Sequence, residues 1–323
     1  MCLSDDLKKV VSLAPTPLAN AFVQQSDLDT IQECFPLDVF FCEDCKHVQL
    51  SDVVNPNELF ENYVYVSGTS PTFVKHFENY AETVFRDYSL SRGDVVVEIG
   101  SNDGTLLSAF KKLGLKVLGI DPAKDIARKA TENGINTLPK FFTSQLAKEI
   151  RKQYGQAKII TANNVFAHAD DLKDIVSGCT KLLEQDGLFI FEVQYLADLY
   201  RNCYFDMIYH EHLSYHTVGP LKKFFDFNGM KLIDIQKVPT HGGSIRGVAQ
   251  LKDGSRIPQS SVEDIIEEEE KLGLFKAETF LQFEQRIDRL RSEFATSVAN
   301  IKEKGMIIAG FGAPAKATTF MYH

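Results

Sequence analysis

Between Asp94 and Pro122 the chain alternates sharply between apolar and polar positions. Val95-Val96-Val97 is a β-branched apolar run of the kind that forms a strand buried on both faces. Glu98-Ile99-Gly100-Ser101-Asn102-Asp103-Gly104 follows as a polar, glycine-marked turn. Leu106, Leu107 and Phe110 then recur on one side of a helix over Thr105 to Lys112. Lys116 to Ile120 reads as a second strand, ending at Asp121.

The same alternation continues downstream. Helices are expected from Asp125 to Asn133, with Gly134 as C-cap, from Phe142 to Tyr154 and from Leu172 to Leu183. Strands are expected at Ala157 to Thr161, Gly187 to Val193, Lys231 to Lys237 and Ser244 to Leu251. A helix from about Pro71 to Tyr88 precedes the first strand. Val262 to Lys271 forms an acidic helix whose Glu267 to Glu270 run is expected to face solvent. Phe275 to Lys304 forms a long amphipathic helix. Met306 to Lys316 reads as strand, glycine turn and helix start, too little to bury a sheet face alone. Strands alternating with helices make this an α/β protein with a largely parallel sheet.

Composition narrows the class. The chain has 323 residues, enough for two or three domains, with 44% hydrophobic and 24% charged residues. Its net charge of -9 argues against a general nucleic-acid surface. No apolar run approaches membrane-spanning length and the first residues lack a signal-peptide pattern, so no membrane partner is expected and the cytoplasm is the expected location.

The turn carries the first chemistry. Glycines admit a ligand close to the backbone, and a carboxylate at the next strand's tip can accept two ribose hydroxyls. The spacing E-x-G-x-x-x-G lacks the close glycine pair of a dinucleotide site, which favours a ligand without phosphates there. E-I-G-S-N-D-G followed by G-I-D-P resembles the first two motifs of class I S-adenosylmethionine (SAM) methyltransferases. The resemblance implies that Gly100 and Gly104 line the cofactor's methionine end, that Asp121 holds its ribose, and that Glu98, Asn102, Asn163 and Asn164 also bind the cofactor. Asn163, Asn164 and His168 fall past the end of a further strand, where ligand groups gather in such sheets.

Four of the six cysteines lie in the first 45 residues. Cys42 and Cys45 form a C-x-x-C knuckle suited to zinc, with Cys2, Cys34 and His47 as further ligand candidates. Pro17 to Phe22, Phe35 to Asp38 and Cys42-x-x-Cys45-x-x-x-Gln49-Leu50 resemble the zinc module of sugar C-methyltransferases. In that family two C-x-x-C pairs hold a structural Zn2+. Cys2 aligns with the second cysteine of the first pair, whose partner would precede residue 1, and Cys34 is outside the pattern.

The densest ionisable cluster is Tyr209-His210-Glu211-His212-Leu213-Ser214-Tyr215-His216. It lacks an H-E-x-x-H pair, although His212 and His216 are spaced for a metal on a helix face. Acid-base work suits it better, because imidazole titrates near neutral pH. Y-H-E-H followed by L-x-Y-H resembles the sugar C-methyltransferase signature, which implies His212 as base with Tyr209 and Glu211 as partners. It also implies active-site roles for His168 and for Tyr63, with Tyr65 as the alternative to Tyr63. Methylation at carbon needs a base and an oxyanion donor. In this reading His212 removes a proton, Tyr209 or His168 steadies the enolate oxygen, and Glu211 orients an imidazole. The stretch H-G-G-S-x-R at His241 to Arg246 also matches; it is either a substrate contact for an anion or a plain hairpin turn.

The expected organisation is a zinc module at 1–55, a SAM-dependent Rossmann-like domain at 56–252, and a helical linker opening a second Rossmann-like domain at 253–323, both chain ends being short. The expected activity is C-methylation beside the ketone of a nucleotide-linked keto-deoxysugar, in a monomer or homodimer. Rival readings are an O- or N-methyltransferase and a SAM-binding, zinc-stabilised protein without turnover.

Overall fold

The computed structural model describes residues 1–61 and 63–323. Two sheets organise them. The larger has seven strands, here numbered with the whole chain: β10-β11-β8-β7-β4-β5-β6 in spatial order. β4 (Val95–Ile99), β5 (Lys116–Ile120), β6 (Thr137–Leu138), β7 (Ala157–Asn163) and β8 (Leu183–Gln194) run parallel. β11 (Ser244–Leu251) lies antiparallel to both β8 and β10 (Met230–Val238). This is a class I methyltransferase-type mixed sheet, as the alternation of elements predicts. Val96 and Val97 are sealed on β4, an interior strand whose two faces are covered by helices. α3 (Thr105–Lys112) buries Leu106, Leu107 and Phe110, the periodic residues that predict it.

The helices around the sheet keep within a residue or two of the expected bounds, as with α4 (Lys124–Glu132), α5 (Ser144–Tyr154) and α6 (Leu172–Leu182). α2 (Pro71–Asp87) starts at Pro71, with Ser70 accepting the Phe73 N–H as its cap.

The smaller sheet was not expected in detail. It consists of β1 (Leu7–Thr16), β2 (Phe35–Cys42), β3 (Val48–Leu50) and β9 (Ser214–Tyr215), all antiparallel. β9 comes from the ionisable cluster some 165 residues downstream of β3, so the small sheet reaches into that cluster. Pairing of Val48 with Tyr215 and of Gln49 with Ser214 fixes that segment against the module.

Three expectations change in the C-terminal part. Glu269 is fully buried, and its carboxylate accepts the N–H groups of Val218 and Gly219 at 2.7 and 3.0 Å. It anchors α9 (Ser260–Lys271) to the start of α8 (Val218–Phe227), so the acidic run does not all face solvent. α10 (Ala277–Glu303), expected within a linker, packs on β1 instead, with Phe280 and Phe283 buried. Met306 to Lys316 forms no strand; the chain runs irregularly into α11 (Ala317–Tyr322), where Thr319 donates to the Ile208 carbonyl at 2.6 Å.

Candidate active site

A cavity of about 720 Å³ opens past the carboxyl ends of the parallel strands, where ligands bind in open α/β sheets. One end is walled by the β4 turn and Asp121, the other by the segment around Tyr209 and His212.

At the first end, Gly100 has φ of 65°, and a Cβ there would sit 2.3 Å from the Val165 side chain. Both facts exclude a larger residue. Gly104 serves the turn by packing against Ile135 and does not line the cavity. Asp121 accepts the backbone N–H of Asn102 at 2.8 Å and that of Ala123 at 2.9 Å, while burial raises its pKa against those bonds. Glu98 is buried on β4 and accepts one bond from Asn163 at 3.3 Å. Burial pushes its carboxyl well above the usual range, with Asn163 opposing. Glu98 Oε2, Asn163 Oδ1 and Ser101 Oγ find no partner within the protein among the described residues. Buried orphan acceptors cost free energy unless a ligand supplies donors. An ammonium group and ribose hydroxyls supply them, so the donor set fits SAM. Asn164, with φ of 55°, also lines the cavity and fixes its own N–H on the Glu192 carbonyl at 2.8 Å. Asn102 lines the cavity too, but its side chain is spent on the loop above it, accepting from Ser67 N–H and donating to the Tyr65 carbonyl, each at 2.9 Å.

The other end brings Tyr63, His168, Tyr209, Glu211 and His212 onto one wall. His212 Nδ1 lies 2.9 Å from the Met207 carbonyl. A carbonyl only accepts, so this nitrogen carries the proton and Nε2 is the acceptor. Tyr209 therefore donates its O–H to Nε2, at 3.0 Å. Burial pushes His212 down to about 4, with the Met207 carbonyl opposing and His241 reinforcing, so the imidazole is neutral near pH 7. His168 stacks on Phe60 and lies 5.1 Å from the His212 ring, centre to centre. Burial, then the neighbouring imidazoles, hold it well below the ordinary histidine value.

Glu211 does not orient an imidazole. Its oxygens accept from Asn20 at 3.0 Å and from Tyr63 at 3.1 Å, and burial raises its pKa. Tyr63, rather than Tyr65, is the tyrosine tied to the Tyr209–His212 segment. Asn20 had appeared only as part of a matching stretch; its φ of 62° in a Pro-Leu-Ala-Asn run is the one local hint of a special role.

Arg246 is not available to an anionic substrate. It lies on β11, 7% exposed, with Nε 2.7 Å from Glu192 Oε1 and its guanidinium 3.9 Å above the Tyr80 ring. His76 completes the pair from the other side, 2.9 Å from Glu192 Oε2. Burial alone would raise Glu192, but the His76 hydrogen bond and the Arg246 charge outweigh it and hold the carboxyl low. His216 is sealed against Phe166 and His210 bonds the Pro36 carbonyl, so the helix-face metal reading of His212 and His216 has no geometry here.

The thiols of Cys2, Cys42 and Cys45 lie within 4.8 Å of one another, with Cys2 and Cys42 sulfurs 3.6 Å apart. Tetrahedral zinc with Zn–S of about 2.3 Å places its sulfurs about 3.8 Å apart, so this set fits zinc. Cys34 is exposed elsewhere, and His47 is turned to Ser214 at 3.2 Å.

Three family models match successive parts of the chain. Residues 1–60 match the family described as "Putative zinc binding domain", 75–235 the "Methyltransferase domain" and 239–323 the "C-methyltransferase C-terminal domain". C-methyltransferase NovU of Streptomyces niveus is 34% identical over 321 residues, covering 99% of this chain and 76% of that protein. A ubiquinone biosynthesis O-methyltransferase of Actinobacillus pleuropneumoniae serotype 7 is 32% identical over 109 residues, 31% of this chain and 45% of that protein. Among solved structures, the PH0226 protein of Pyrococcus horikoshii superposes with a TM-score of 0.47 at 15% identity, covering 62% of this chain and 100% of that one.

Proposed function

The chain belongs to the zinc-module C-methyltransferase family and is a SAM-dependent methyltransferase, and from that premise we propose that it methylates a carbon beside the ketone of a nucleotide-linked keto-deoxysugar. The observation that supports this reading is the Tyr209–His212 pair: a neutral imidazole whose acceptor nitrogen is held at the cavity wall by a phenol.

A hydroxyl or amine acceptor already has a lone pair, whereas a ring carbon must first lose a proton. In the resting site the Tyr209 O–H occupies His212 Nε2. When the ketone arrives, the Tyr209 hydrogen rotates to the ketone oxygen and frees Nε2. His212 then takes the proton from the adjacent carbon, and its Nδ1–H stays on the Met207 carbonyl, which steadies the imidazolium. The electron pair left on carbon delocalises onto the oxygen held by Tyr209. The expected second donor, His168, faces the same space. Glu211 holds Tyr63 and Asn20 in place around this end. Bound SAM supplies an electrophilic methyl group to that carbon. Glu98 and Asn163 would hold its ammonium group and Asp121 its ribose, which sets the line of approach.

The test is proton exchange without turnover. Incubated with S-adenosylhomocysteine and a nucleotide-linked 4-keto-6-deoxysugar in D2O, the protein should deuterate the carbon beside the ketone, seen by NMR, and His212→Ala should abolish it. Bound S-adenosylhomocysteine with no exchange in the native chain would point instead to a heteroatom acceptor.

A further inference from the structure

The strand-free strap from Tyr63 to Ser70 passes over the cavity, which Tyr63, Tyr65 and Ser67 help to line. It brings little apolar burial of its own: Val64 is 57% and Tyr65 42% exposed. Its position therefore depends on polar fastenings. One is the bond from Tyr63 to Glu211 already described. The others converge on the cofactor turn. Asn102 accepts the Ser67 N–H and donates to the Tyr65 carbonyl, and Asp103 Oδ2 accepts the Gly68 N–H at 2.9 Å. The carboxamide supplies both the acceptor and the donor that these two bonds need. The other oxygen of Asp103 accepts from the N–H and the hydroxyl of Thr105, the first residue of α3. The approach is as close as the backbone allows, since a Cβ on Gly68 would lie 2.5 Å from Asp103 Oδ2. The N–H of Asn102 meanwhile donates to Asp121, the carboxylate at the ribose position.

We infer that Asn102 and Asp103 are positioning residues that latch the strap shut over the bound cofactor, and that the cofactor enters and leaves only when the latch opens. This departs from the expectation that the Asn102 side chain binds the cofactor. It rests on the methyltransferase assignment alone and is independent of the sugar acceptor. The residue that touches the strap through its side chain touches the ribose carboxylate through its backbone, so a filled ribose site and a closed strap favour each other.

Two variants open the latch from opposite sides. Asn102→Gly removes the carboxamide while tolerating the φ of 50°. Gly68→Ala leaves Asn102 intact and forces Asp103 Oδ2 away from Gly68, which breaks their hydrogen bond. Chymotrypsin cleavage after Tyr63 and Tyr65, followed by mass spectrometry, and release of labelled S-adenosylhomocysteine on dilution are the readouts, with far-UV circular dichroism to confirm folding. In the native chain, saturating S-adenosylhomocysteine should slow cleavage at both tyrosines at least tenfold. Both variants should lose that protection and release the ligand at least tenfold faster. The proposal is overturned if Asn102→Gly speeds release while Gly68→Ala changes neither readout, because Asn102 is then an ordinary cofactor contact. It is equally overturned if the native chain is cut at one rate with and without the ligand.

Discussion

The Tyr209 hydroxyl lies 3.0 Å from His212 Nε2, and the Met207 carbonyl fixes the tautomer that makes this nitrogen the acceptor. Tyr209 and His212 are thus joined as a donor and an acceptor, and in the proposed reaction they act as oxyanion donor and base. Removing the imidazole should lower exchange at the acceptor carbon by about 10²–10⁴-fold. Tyr209→Phe should keep cofactor binding and lose most of the exchange, because the enolate oxygen loses its donor while Nε2 is left free. Isotope exchange for the two variants, beside S-adenosylhomocysteine affinity, checks this.

The pH dependence of exchange follows from the His212 environment. Its value of about 4 leaves the base unprotonated well below neutrality. Exchange should be flat between about pH 6 and 8 and fall only as pH approaches 4. A rate that instead halves near pH 6.5 would mean that the base titrates like a solvated histidine.

His216 gives a stability effect of defined sign. Burial holds it at about 4 in the folded chain against 6.5 when unfolded. Below pH 6.5 the unfolded state gains the proton first, so stability is lost as pH falls from 6.5 towards 4, by roughly 3 kcal/mol in all. His216→Phe, which fits among Phe166 and its neighbours, should flatten that decline in urea unfolding curves measured at several pH values.

The Arg246–Glu192 pair should matter to stability and not to recognition of an anion. Arg246→Met leaves a buried carboxylate with only His76 opposite it, at a cost of about 3–5 kcal/mol. Calorimetry should show the loss. A folded fraction whose Michaelis constant for an anionic substrate rose a hundredfold would contradict the assignment.

Removing zinc should reach the active site through the small sheet. Cys42→Ser should lose bound metal, measured by mass spectrometry, and destabilise the β2–β3 turn that carries Cys42 and Cys45. Because β3 pairs with β9, catalytic exchange should fall with the metal content although none of the three thiols lines the cavity.

The parallel core was readable because its signals are local. A β-branched run such as Val95 to Val97, a helical stripe such as Leu106, Leu107 and Phe110, and a glycine turn between them each act over a few residues. The small sheet was not, since antiparallel partners such as Val48 and Tyr215 are far apart in sequence and β9 is only two residues long. The acidic run at Glu267 to Glu270 looked uniformly solvated, and its periodicity carries no sign that Glu269 alone meets the start of another helix.

The amino-acid sequence by itself determined the class of chemistry. A carboxylate-and-glycine turn followed by an acid, a cysteine knuckle and the Y-H-E-H cluster are short patterns whose residue types are set by what they must bind or do. Only the tertiary structure decided who partners whom. It placed Glu211 on Asn20 and Tyr63 instead of an imidazole, withdrew Arg246 behind Glu192, and turned the Asn102 side chain to the strap. Hydrogen bonds form between atoms that folding brings within 3 Å or so of each other, and chain order does not encode that proximity. Asn20 and Glu211, 191 residues apart, meet because β9, just past Glu211, pairs into the small sheet whose first strand ends just before Asn20.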